Sequence, residues 1–549
     1  MARDISTLTP PAALDQVARE STHPAVIFPD EQCSYAELAA TSRELARGLR
    51  ALGVGRGDKV GILQMGGIDT LAMLVATMRL GAWAVPINAR YKAEELRFLT
   101  HHADLRVLVV DDVLSSVVVD TIPDLAGHPG GPLSLEEFPE LRYVLGGEAP
   151  APGILGRSEF AEMAGTVDPS EVDAEEARNQ PHDTCILLYT SGTTANPKGC
   201  MHSHSTLLHQ GANMADNRFG LTPDDTFWSP LPLFHIGGIV VLVTSIVSGA
   251  RFCHPGLFEP GVSVRQLREH KATVGFPAFE TIWLAVLDHP DFDAADMGSL
   301  RLLANVGVPE RLRAMQERLP TAVQVSCTGG TESCGFISVG VETDPLDERV
   351  NTCGFPVPGM EAKIVDHESG RDLEPPCVGE LCYRGVSRFL GYYKDPETTA
   401  ERIDDDGWFH TGDLTEMDAD GRLTFLSRIK DMLKVGGENV AAAEIEDYLA
   451  RHPAVSIVQV VSAPDARYTE VPAAFVQLKD GETATEDELI AHCLGKIATF
   501  KVPRYVRFVD DWPMSGTKVQ KYRLRETIAA ELEAAGVTEA PRLDSGAAR

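Results

Sequence analysis

The sequence predicts an α/β protein with a large N-terminal domain of two α/β subdomains plus a β-rich subdomain, and a small C-terminal α+β domain. Three observations predict this class. The chain has 549 residues, which at about 150 residues per domain suggests several domains. Short apolar runs alternate with amphipathic helical stretches in two segments, as is typical of βαβ units on a largely parallel sheet. A third segment has short strands between Gly, Pro and Asp turns.

The first α/β segment covers residues 35–111. Amphipathic periodicity predicts helices over 35–52 and 69–80. The apolar and β-branched runs that predict strands in the same segment are 59–63, 83–88 and 107–110.

The remaining segments set the domain limits. A compact apolar strand is predicted at 184–189, the α/β alternation resumes over 227–332, and 352–427 is β-rich. The pattern then changes to the helices and strands of a small α+β unit. We therefore expect an N-terminal domain at 1–428 and a C-terminal domain at 429–549.

Charge and hydropathy exclude several classes of partner. The 80 acidic and 49 basic residues give a formal charge of -31, which argues against binding to nucleic acid or to an anionic membrane surface. The longest apolar run, 236–250, is shorter than the roughly 20 residues that span a bilayer, so we expect a buried helix there and no membrane span. The N-terminus lacks the apolar core of a signal peptide, so we expect a cytoplasmic protein. Monomer and homodimer both stay open.

The ten cysteines are scattered along the chain, without a CxxC pair or a Cys/His cluster at zinc spacing. Such cysteines are typical of small core residues in a reducing compartment. We expect neither a structural disulfide nor a structural zinc site.

The segment 189–199, Tyr-Thr-Ser-Gly-Thr-Thr-Ala-Asn-Pro-Lys-Gly, directly follows the predicted strand. Its small and hydroxyl residues can aim backbone N–H and hydroxyl groups at phosphate oxygens, and Lys198 adds a positive charge. Pro197 and Gly199 stand where a Gly-x-x-x-x-Gly-Lys-[Ser/Thr] loop has its second glycine and its hydroxyl residue, which excludes the ordinary P-loop. A flexible Ser/Gly linker would account for the composition, but not for the preceding strand or the single lysine.

Thr-Ser-Gly-Thr-Thr-x-x-Pro-Lys-Gly resembles the signature of the adenylate-forming superfamily. The segments Phe500-Lys-Val-Pro-Arg504 and Gly436-Gly-Glu-Asn439 resemble the acyl-CoA synthetase branch in particular. The resemblance covers residues 12–530, nearly the whole chain. Further segments match in the family's order: Pro232-Leu-Phe-His-Ile-Gly-Gly238, Gly329-Gly-Thr-Glu332, Gly391-Tyr-Tyr-Lys-Asp-Pro396, Trp408-Phe-His-Thr-Gly-Asp-Leu414, Arg428-Ile-Lys-Asp-Met-Leu-Lys-Val-Gly-Gly-Glu-Asn439 and Phe500-Lys-Val-Pro-Arg504.

The resemblance implies a two-step reaction with ATP, Mg²⁺ and CoA. A carboxylate attacks the α-phosphorus of ATP to give acyl-AMP and pyrophosphate, and a thiol then displaces AMP. The nucleophile is already ionised, so the first step needs charge neutralisation more than a base. It also implies a mobile C-terminal domain that swings about Lys430 between an adenylating and a thiol-transfer arrangement.

The resemblance also assigns site residues. Glu332, with Thr194, would hold Mg²⁺. Lys198, Glu332, Lys518 and His235 are the catalytic candidates. The phosphate contacts would be Thr190, Ser191, Gly192, Thr193, Thr194 and Lys198, and the residues near the purine and the turn before Glu332 would be Gly307, Val308, Thr328, Gly329 and Thr331. Asp413 and Arg428 would contact the ribose. The pantetheine channel of CoA would be lined by Gly436, Gly437 and Glu438.

Several positions depart from the family pattern. The glycine that usually follows Thr-Thr is Ala195, and the aromatic residue that usually stacks on adenine is Thr328. The segment before Lys518 is one residue short, which leaves Lys521 as the alternative adenylation lysine.

The acyl pocket is expected between residues of four segments. Its candidate residues are His235, Gly238, Phe276, Phe279, Asn305, Gly329, Gly330 and Gly335, with Trp283 as a further wall. The Gly329–Gly330 pair predicts room for a bulky apolar acid, fatty or aryl. Glu280 is unusual in this apolar segment and could bind an amine of the substrate or face solvent.

The leading hypothesis is an ATP-dependent acyl-CoA synthetase for a hydrophobic carboxylic acid, and a fatty acid is the preferred substrate class. The first alternative is a stand-alone adenylating enzyme with another acceptor, such as a carrier protein or an amine, or one that activates nitrite towards an arylamine. The second is a catalytically retired relative that only binds nucleotide.

Overall fold

The computed structural model describes residues 5–128, 131–148, 150–190, 197–435, 438–515 and 518–543, with the backbone alone at Lys430, Glu438, Asn439, Ser515 and Lys518. It contains two compact units. The first comprises Met1–Ala362 and Tyr383–Phe409, and the second Lys363–Cys382 and His410–Arg549. The expected boundary at 428/429 lies inside the second unit and stays a prediction.

The helices predicted at 35–52, 69–80 and 236–250 are present and begin and end within two residues of those limits. In chain order they are α1 (Pro10–Glu20), α2 (Tyr35–Ala51), α3 (Ile68–Arg79), α4 (Ala93–His102), α5 (Ser115–Thr121), α6 (Arg157–Ala164), α7 (Pro169–Glu176), α8 (His204–Ala212), α9 (Ile236–Ser248), α10 (Pro260–Glu269), α11 (Glu280–Leu287), α12 (Pro309–Arg318), α13 (Leu346–Asn351), α14 (Pro396–Arg402), α15 (Ala442–Ala450), α16 (Glu486–Cys493) and α17 (Lys521–Ala534).

The strands are numbered in the same way. They are β1 (Pro24–Ile27), β2 (Gln32–Ser34), β3 (Lys59–Leu63), β4 (Trp83–Pro86), β5 (Leu105–Val110), β6 (Tyr143–Leu145), β7 (Thr184–Thr190), β8 (Lys198–Ser203), β9 (Thr226–Trp228), β10 (Arg251–Cys253), β11 (Val274–Phe279), β12 (Leu302–Val306), β13 (Val323–Val325), β14 (Cys327–Thr328), β15 (Ser338–Val339), β16 (Phe355–Pro356), β17 (Met360–Val365), β18 (Asp372–Leu373), β19 (Cys377–Gly385), β20 (Gly391–Tyr392), β21 (Phe409–Met417), β22 (Leu423–Arg428), β23 (Met432–Val435), β24 (Glu438–Ala441), β25 (Val455–Asp465), β26 (Thr469–Leu478), β27 (Tyr505–Phe508), β28 (Met514–Ser515) and β29 (Lys518–Val519).

Two seven-stranded sheets form the first unit. One has the order β13-β12-β11-β9-β10-β1-β2, and the other β20-β8-β7-β4-β3-β5-β6. The second sheet is parallel from β7 to β6 and ends in the antiparallel strands β8 and β20. The predicted α/β class is confirmed, and both predicted α/β segments supply parallel strands.

Local sequence explains where the helices begin and end. Ser34 and Glu37 form a capping box at the start of α2, as side chains that satisfy the free N–H groups of a first turn should. The apolar run after His235 is the 13-residue helix α9, almost wholly buried, which ends at Gly249 in the left-handed conformation. Within the described parts of the chain, no helix is both long and apolar enough to cross a bilayer.

The segment that was expected to be β-rich, 352–427, contains strands β16 to β22, of which β19 and β21 have nine residues each. Strands β14, β15 and β16 form a three-stranded sheet, and β18-β17-β19-β21-β22 form a five-stranded sheet. The C-terminal part has the sheet β24-β23-β26-β25, with β27 on β26, and helix α15 contributes Ile445 and Leu449 to the core of this sheet. This is the predicted α+β pattern.

Candidate active site

The strands on either side of the predicted phosphate-binding segment, β7 and β8, pair antiparallel. Strand β7 ends at Thr190 and β8 begins at Lys198, and the two residues are paired in register. The hydroxyl of Thr190 lies 3.5 Å from the carbonyl oxygen of Lys198. The pairing therefore brings both predicted residues to the same end of the two strands. Ser191, Gly192, Thr193 and Thr194 lie outside the described residues.

The strand that follows in space, β20, brings Tyr392 to these two strands. Tyr392 pairs with Cys200 of β8, and the Lys198 ammonium lies 5.2 Å from the centre of the Tyr392 ring. The phenol hydroxyl donates to Oε1 of Glu332 at 2.8 Å. Burial, with the Glu332 charge added, raises the pKa of Tyr392, so the phenol stays protonated and a donor. One tyrosine thus connects the predicted lysine and carboxylate.

Glu332 is held in a short 3₁₀ turn, Thr331–Ser333. The Phe389 N–H donates to the Glu332 carbonyl oxygen at 2.8 Å, and His202 Nε2 contacts the Thr331 carbonyl oxygen at 2.8 Å. Burial lowers the pKa of His202 to about 4, so the ring is neutral near pH 7, and its contact with a carbonyl places the proton on Nε2. These contacts fix the main chain on both sides of the Glu332 carboxylate.

The two glycines before this turn differ in what surrounds them. A Cβ on Gly329 would lie 2.2 Å from the Gly335 carbonyl oxygen, so Gly329 is required by close approach of the backbone and leaves no room for a substrate. A Cβ on Gly330 would meet only Glu332 Oε2, at 3.5 Å. The expectation that the pair together opens a pocket is therefore wrong for Gly329, and it stays a prediction for Gly330. Gly335 itself has a φ of 99°.

The expectation for Glu280 is also wrong. Its Oε1 accepts from Arg311 at 2.6 Å and its Oε2 from the Val308 N–H at 2.9 Å, so it neither faces solvent nor is free to bind an amine. A Cβ on Gly307 would lie 2.2 Å from Glu280 Oε2. Glu280 therefore fixes the Gly307–Val308 segment that was assigned to the purine. Thr328 ends strand β14, paired with Ser338.

The three aromatic candidates for the acyl pocket differ in burial. Trp283 is fully buried, with its ring centre 6.2 Å from that of Trp228, and so belongs to the core rather than to a pocket wall. Phe276 is buried against Phe336, with ring centres 5.0 Å apart. Phe279 is half-buried.

A backbone irregularity separates Phe276 from Phe279. Ala278 has a φ of 63°, in the left-handed region, and the pairing of β11 with β12 shifts register between Gly275 and Ala278. A bulge of this kind turns the following side chain, and such strain is frequent beside functional sites.

Three further candidates lie around the start of α9 and the end of β12. His235 caps α9, with its ring centre 4.7 Å from that of Phe234. A Cβ on Gly238 would lie 2.6 Å from the Pro232 carbonyl oxygen, which explains the glycine. Asn305 is fully buried, and its Nδ2 contacts the Met315 sulfur at 3.3 Å.

The predicted ribose residues lie together in the second unit. Asp413 of β21 and Arg428 of β22 are paired in register, and Arg428 Nε is 2.7 Å from Asp413 Oδ1. The Asp413 N–H donates to Thr411 Oγ1 at 3.0 Å, and the Thr411 hydroxyl donates to the Leu381 carbonyl oxygen at 2.7 Å. The turn thus presents a buried carboxylate beside a half-exposed guanidinium.

The two candidate adenylation lysines differ in surroundings. Lys518 begins β29 and is paired in register with Ser515. Lys521, at the start of α17, donates to Glu446 Oε1 at 2.6 Å, and the same oxygen accepts from the Val460 N–H. Lys521 is therefore part of a structural ion pair.

The other predicted positions of the small domain carry little geometry. Lys430 lies in the turn Ile429–Asp431, and Glu438 begins β24. Gly436 and Gly437 lie outside the described residues.

Tyr392 is the residue that sequence reasoning missed. It stands in the quoted segment Gly391-Tyr-Tyr-Lys-Asp-Pro396, but no role followed from its spacing. Its long sequence separation from both Lys198 and Glu332 hid the contact.

Lys198, Glu332 and the Asp413–Arg428 pair stand in the segments that resemble the signature of adenylate-forming enzymes, and comparison with known sequences gives the class. A sequence model described as "AMP-binding enzyme" matches residues 14–393, and one described as "AMP-binding enzyme C-terminal domain" matches residues 444–518. The chain therefore belongs to the AMP-binding enzyme family, within the adenylate-forming superfamily, and is an enzyme of the AMP-forming acid–thiol ligase type.

Relatives and solved structures agree with this assignment. YngI of Bacillus subtilis (strain 168), which is named as an acyl-CoA synthetase, is 38% identical over 518 residues, covering 91% of this chain and 93% of its own. The mitochondrial medium-chain acyl-CoA ligase ACSF2 of Homo sapiens is 30% identical over 527 residues, covering 92% and 85%. The crystal structure of the anthranilate CoA ligase AuaEII with anthranoyl-AMP superposes with a TM-score of 0.84 at 26% identity, covering 96% and 98%.

Proposed function

We propose that this enzyme is an ATP-dependent acyl-CoA synthetase for a hydrophobic carboxylic acid, and that it acts in the cytoplasm in fatty acid metabolism. The observation that carries the proposal is the contact of Tyr392 with both Lys198 and Glu332. It supports a site in which a cation and an oxygen ligand face the phosphates of one nucleotide.

In the first step a carboxylate oxygen of the acid attacks the α-phosphorus of ATP, and pyrophosphate leaves. Lys198 would bind the β- and γ-phosphates, with Thr190 and the residues that follow it. Glu332 would hold Mg²⁺, because its carboxylate is a hard oxygen ligand and Tyr392 occupies only one of its two oxygens. When bound, Mg²⁺ would supply positive charge to the phosphates.

In the second step the CoA thiol loses its proton to solvent and its sulfur attacks the acyl carbonyl carbon, and AMP leaves with the electron pair of the broken C–O bond. Asp413 would hold the ribose hydroxyls through both steps, with Arg428 near the ribose or the phosphates. For the change of step we propose rotation about Lys430 of a domain at 429–549 against one at 1–428. Gly436, Gly437 and Glu438 would then line the pantetheine channel.

Lys518 is the better candidate for the adenylation lysine. Lys521 would have to give up its contact with Glu446, at 2.6 Å, to reach a substrate. The side chains of that pair are only 20% and 16% exposed, so breaking it would leave a poorly solvated carboxylate.

The acid is proposed to be apolar. The candidate acyl residues His235, Gly238, Phe276, Phe279, Asn305, Gly330 and Gly335 include no lysine or arginine. The names of the relatives support both a fatty chain, as in ACSF2, and an aryl ring, as in AuaEII. We favour the fatty acid, because YngI, at 38% identity, is named for an acyl-CoA and ACSF2, at 30%, for a medium-chain acyl-CoA. A Rhodococcus jostii CoA ligase named for a propanoate with a bicyclic ring, at 33% identity, supports a ring-bearing acid as the alternative.

The test is pyrophosphate release with Mg-ATP against a panel of fatty, aryl and amino-substituted acids, each with and without CoA, with mass analysis of the products. An acyl-CoA from one acid class supports the proposal. Pyrophosphate release that ignores CoA would instead support a carrier protein, an amine or nitrite chemistry with an arylamine.

Two lysine variants test the assignment of the first step. Lys518→Ala should lose acid-dependent ATP–pyrophosphate exchange by a factor of about 10² to 10³. Lys521→Gln leaves Glu446 without its cation and should be less stable, but where circular dichroism shows it folded it should keep the exchange. Equal loss in both would contradict the assignment of Lys518. No exchange by the wild-type enzyme with any acid would support a retired, nucleotide-binding relative.

A further inference from the structure

Three potential metal ligands come together on two neighbouring strands of the second unit. Glu380 and Cys382 are two residues apart on β19, so their side chains point to the same face of the sheet. His410 lies on the adjacent strand β21, and its Nδ1 is 3.0 Å from Glu380 Oε2 and 3.3 Å from Cys382 Sγ. All three ligand atoms lie within 4.8 Å of one another.

We propose that Glu380, Cys382 and His410 bind a divalent transition-metal ion, with zinc the best fit. Thiolate, imidazole and carboxylate are the zinc ligands of proteins. Tetrahedral zinc with ordinary bond lengths places neighbouring ligand atoms about 3.3–3.7 Å apart. The separations of Glu380 Oε2 and Cys382 Sγ from His410 Nδ1, 3.0 and 3.3 Å, need only a few tenths of an ångström of expansion, and the separation of Glu380 from Cys382 is at most 4.8 Å.

The charge and the donor types favour the same ion. A Cys382 thiolate, a Glu380 carboxylate and a neutral His410 carry two negative charges, which a divalent ion cancels; binding would release the thiol proton to solvent. The sulfur ligand favours zinc or cobalt over Mg²⁺. The site is therefore chemically different from the one proposed at Glu332.

The surroundings orient the ligands and leave an entry route. The Gly412 N–H donates to Glu380 Oε1 at 2.9 Å, which directs the other oxygen, Oε2, to the cluster. The His410 side chain is 28% exposed and that of Glu380 14%, so an ion can enter from solvent and keep a water as its fourth ligand. None of the three ligands is assigned to the proposed reaction, so the inference is independent of it.

Cobalt is a direct probe, because a cobalt–thiolate bond gives a charge-transfer band in the near ultraviolet. The full-length protein, freed of metal by a chelator, is titrated with Co²⁺ alongside Cys382→Ser and Cys377→Ser. Cys377 lies on the same strand, is partly exposed and is not in the cluster, so it is the matched control. We expect a saturable band that Zn²⁺ abolishes in the wild type and in Cys377→Ser. Cys382→Ser should lack the band and bind Co²⁺ at least about tenfold more weakly.

His410→Asn is a second, independent variant, which keeps a donor for Glu380 but loses the imidazole. It should also bind Co²⁺ at least about tenfold more weakly. Far-ultraviolet circular dichroism confirms the fold of each variant. If Cys382→Ser does not fold, His410→Asn carries the test alone. The proposal is overturned if the wild type gives no thiolate band, if the band persists in Cys382→Ser, or if His410→Asn binds like the wild type; the three residues are then only hydrogen-bonded.

Discussion

Two regions each hold one carboxylate in place, but with partners of different charge. At the Glu332 site, defined by Lys198, Glu332 and Tyr392, a neutral phenol donates to the carboxylate at 2.8 Å. At the Asp413 site, defined by Asp413 and Arg428, a guanidinium lies 2.7 Å from it. A phenol orients a carboxylate without cancelling its charge, whereas a guanidinium does both. The first site is thus suited to attract a cation, and the second to accept hydrogen bonds from neutral hydroxyls while its charge is balanced.

The largest expected effect is that of removing the charge at the Glu332 site. Glu332→Gln keeps an oxygen to accept from Tyr392 but loses the negative charge. We expect the rate of pyrophosphate release at saturating Mg-ATP to fall by a factor of about 10² to 10³. The exposed Glu342→Gln is the control and should behave as the wild type. A rate for Glu332→Gln within threefold of the wild type would mean that the charge is not used.

At the Asp413 site the loss should appear mainly in nucleotide affinity. Asp413→Asn weakens the acceptor for ribose hydroxyls and leaves Arg428 without its anionic partner. We expect KM for ATP to rise about tenfold to thirtyfold with little change in kcat, because the contact is the same in the ground and transition states.

Asp420→Asn is the matched control for that variant, because Asp420 and Arg422 form an exposed pair, 3.3 Å apart, in the turn that joins the same two strands. Steady-state kinetics with ATP as the varied substrate make the comparison. A fall in kcat at unchanged KM would contradict the assignment to the ribose.

A smaller effect is expected from the neutral partner at the Glu332 site. Tyr392→Phe removes the hydroxyl but keeps the ring below the Lys198 ammonium. The loss of one hydrogen bond to a carboxylate that can be partly rehydrated should lower the rate about fivefold. Tyr393→Phe is the control, since its hydroxyl donates to Asp104 at 2.7 Å. If both variants lose the same activity, the hydroxyls act only on the fold.

Lowering the pH from 7 to 5 should reduce the free energy of unfolding of the first unit, because three of its histidines are buried. Burial lowers the pKa of His202, His204 and His254 to about 4, from an ordinary value of 6.5. The unfolded chain therefore takes up protons first, so the stabilisation is complete above pH 6.5 and is lost as the pH falls towards 4. We expect a loss of about 2 kcal/mol per histidine between pH 7 and pH 5.

Urea unfolding of the wild type and of His202→Asn at these two pH values measures this. The variant should be less stable at pH 7 and lose less on acidification. An identical loss in both proteins would show that His202 is not one of the groups responsible.

The sequence predicted the fold well because the fold depends on local patterns. Helix α9 follows from a run of apolar residues with a glycine at its end, and strand β7 from a compact apolar run before a small-residue segment. Asp413 and Arg428 were each assigned to the nucleotide by resemblance, and the antiparallel register of two consecutive strands brings the two residues together.

The errors and omissions share a physical cause. The partner of Glu280 was not predicted because Arg311 lies on the following helix, α12, with strand β12 between them. The close approach of the Gly335 backbone to Gly329 was not predicted either, because it depends on a turn whose geometry the sequence does not give. Local spacing along the sequence does not reveal the cluster of Glu380, Cys382 and His410, because sheet pairing joins positions 28 residues apart. Side-chain contacts between distant segments have no periodic signal in one sequence.

Strand β20 has a consequence for association as well as for catalysis. It is two residues long and lies at the end of its sheet, where it covers part of the edge of β8. An uncovered β8 would present unpaired N–H and C=O groups to another chain, and a two-residue strand offers little edge in its place. The short strand that carries Tyr392 therefore also protects the edge of β8 from pairing with another chain. Variants in which β20 no longer pairs with β8 should lose solubility together with activity.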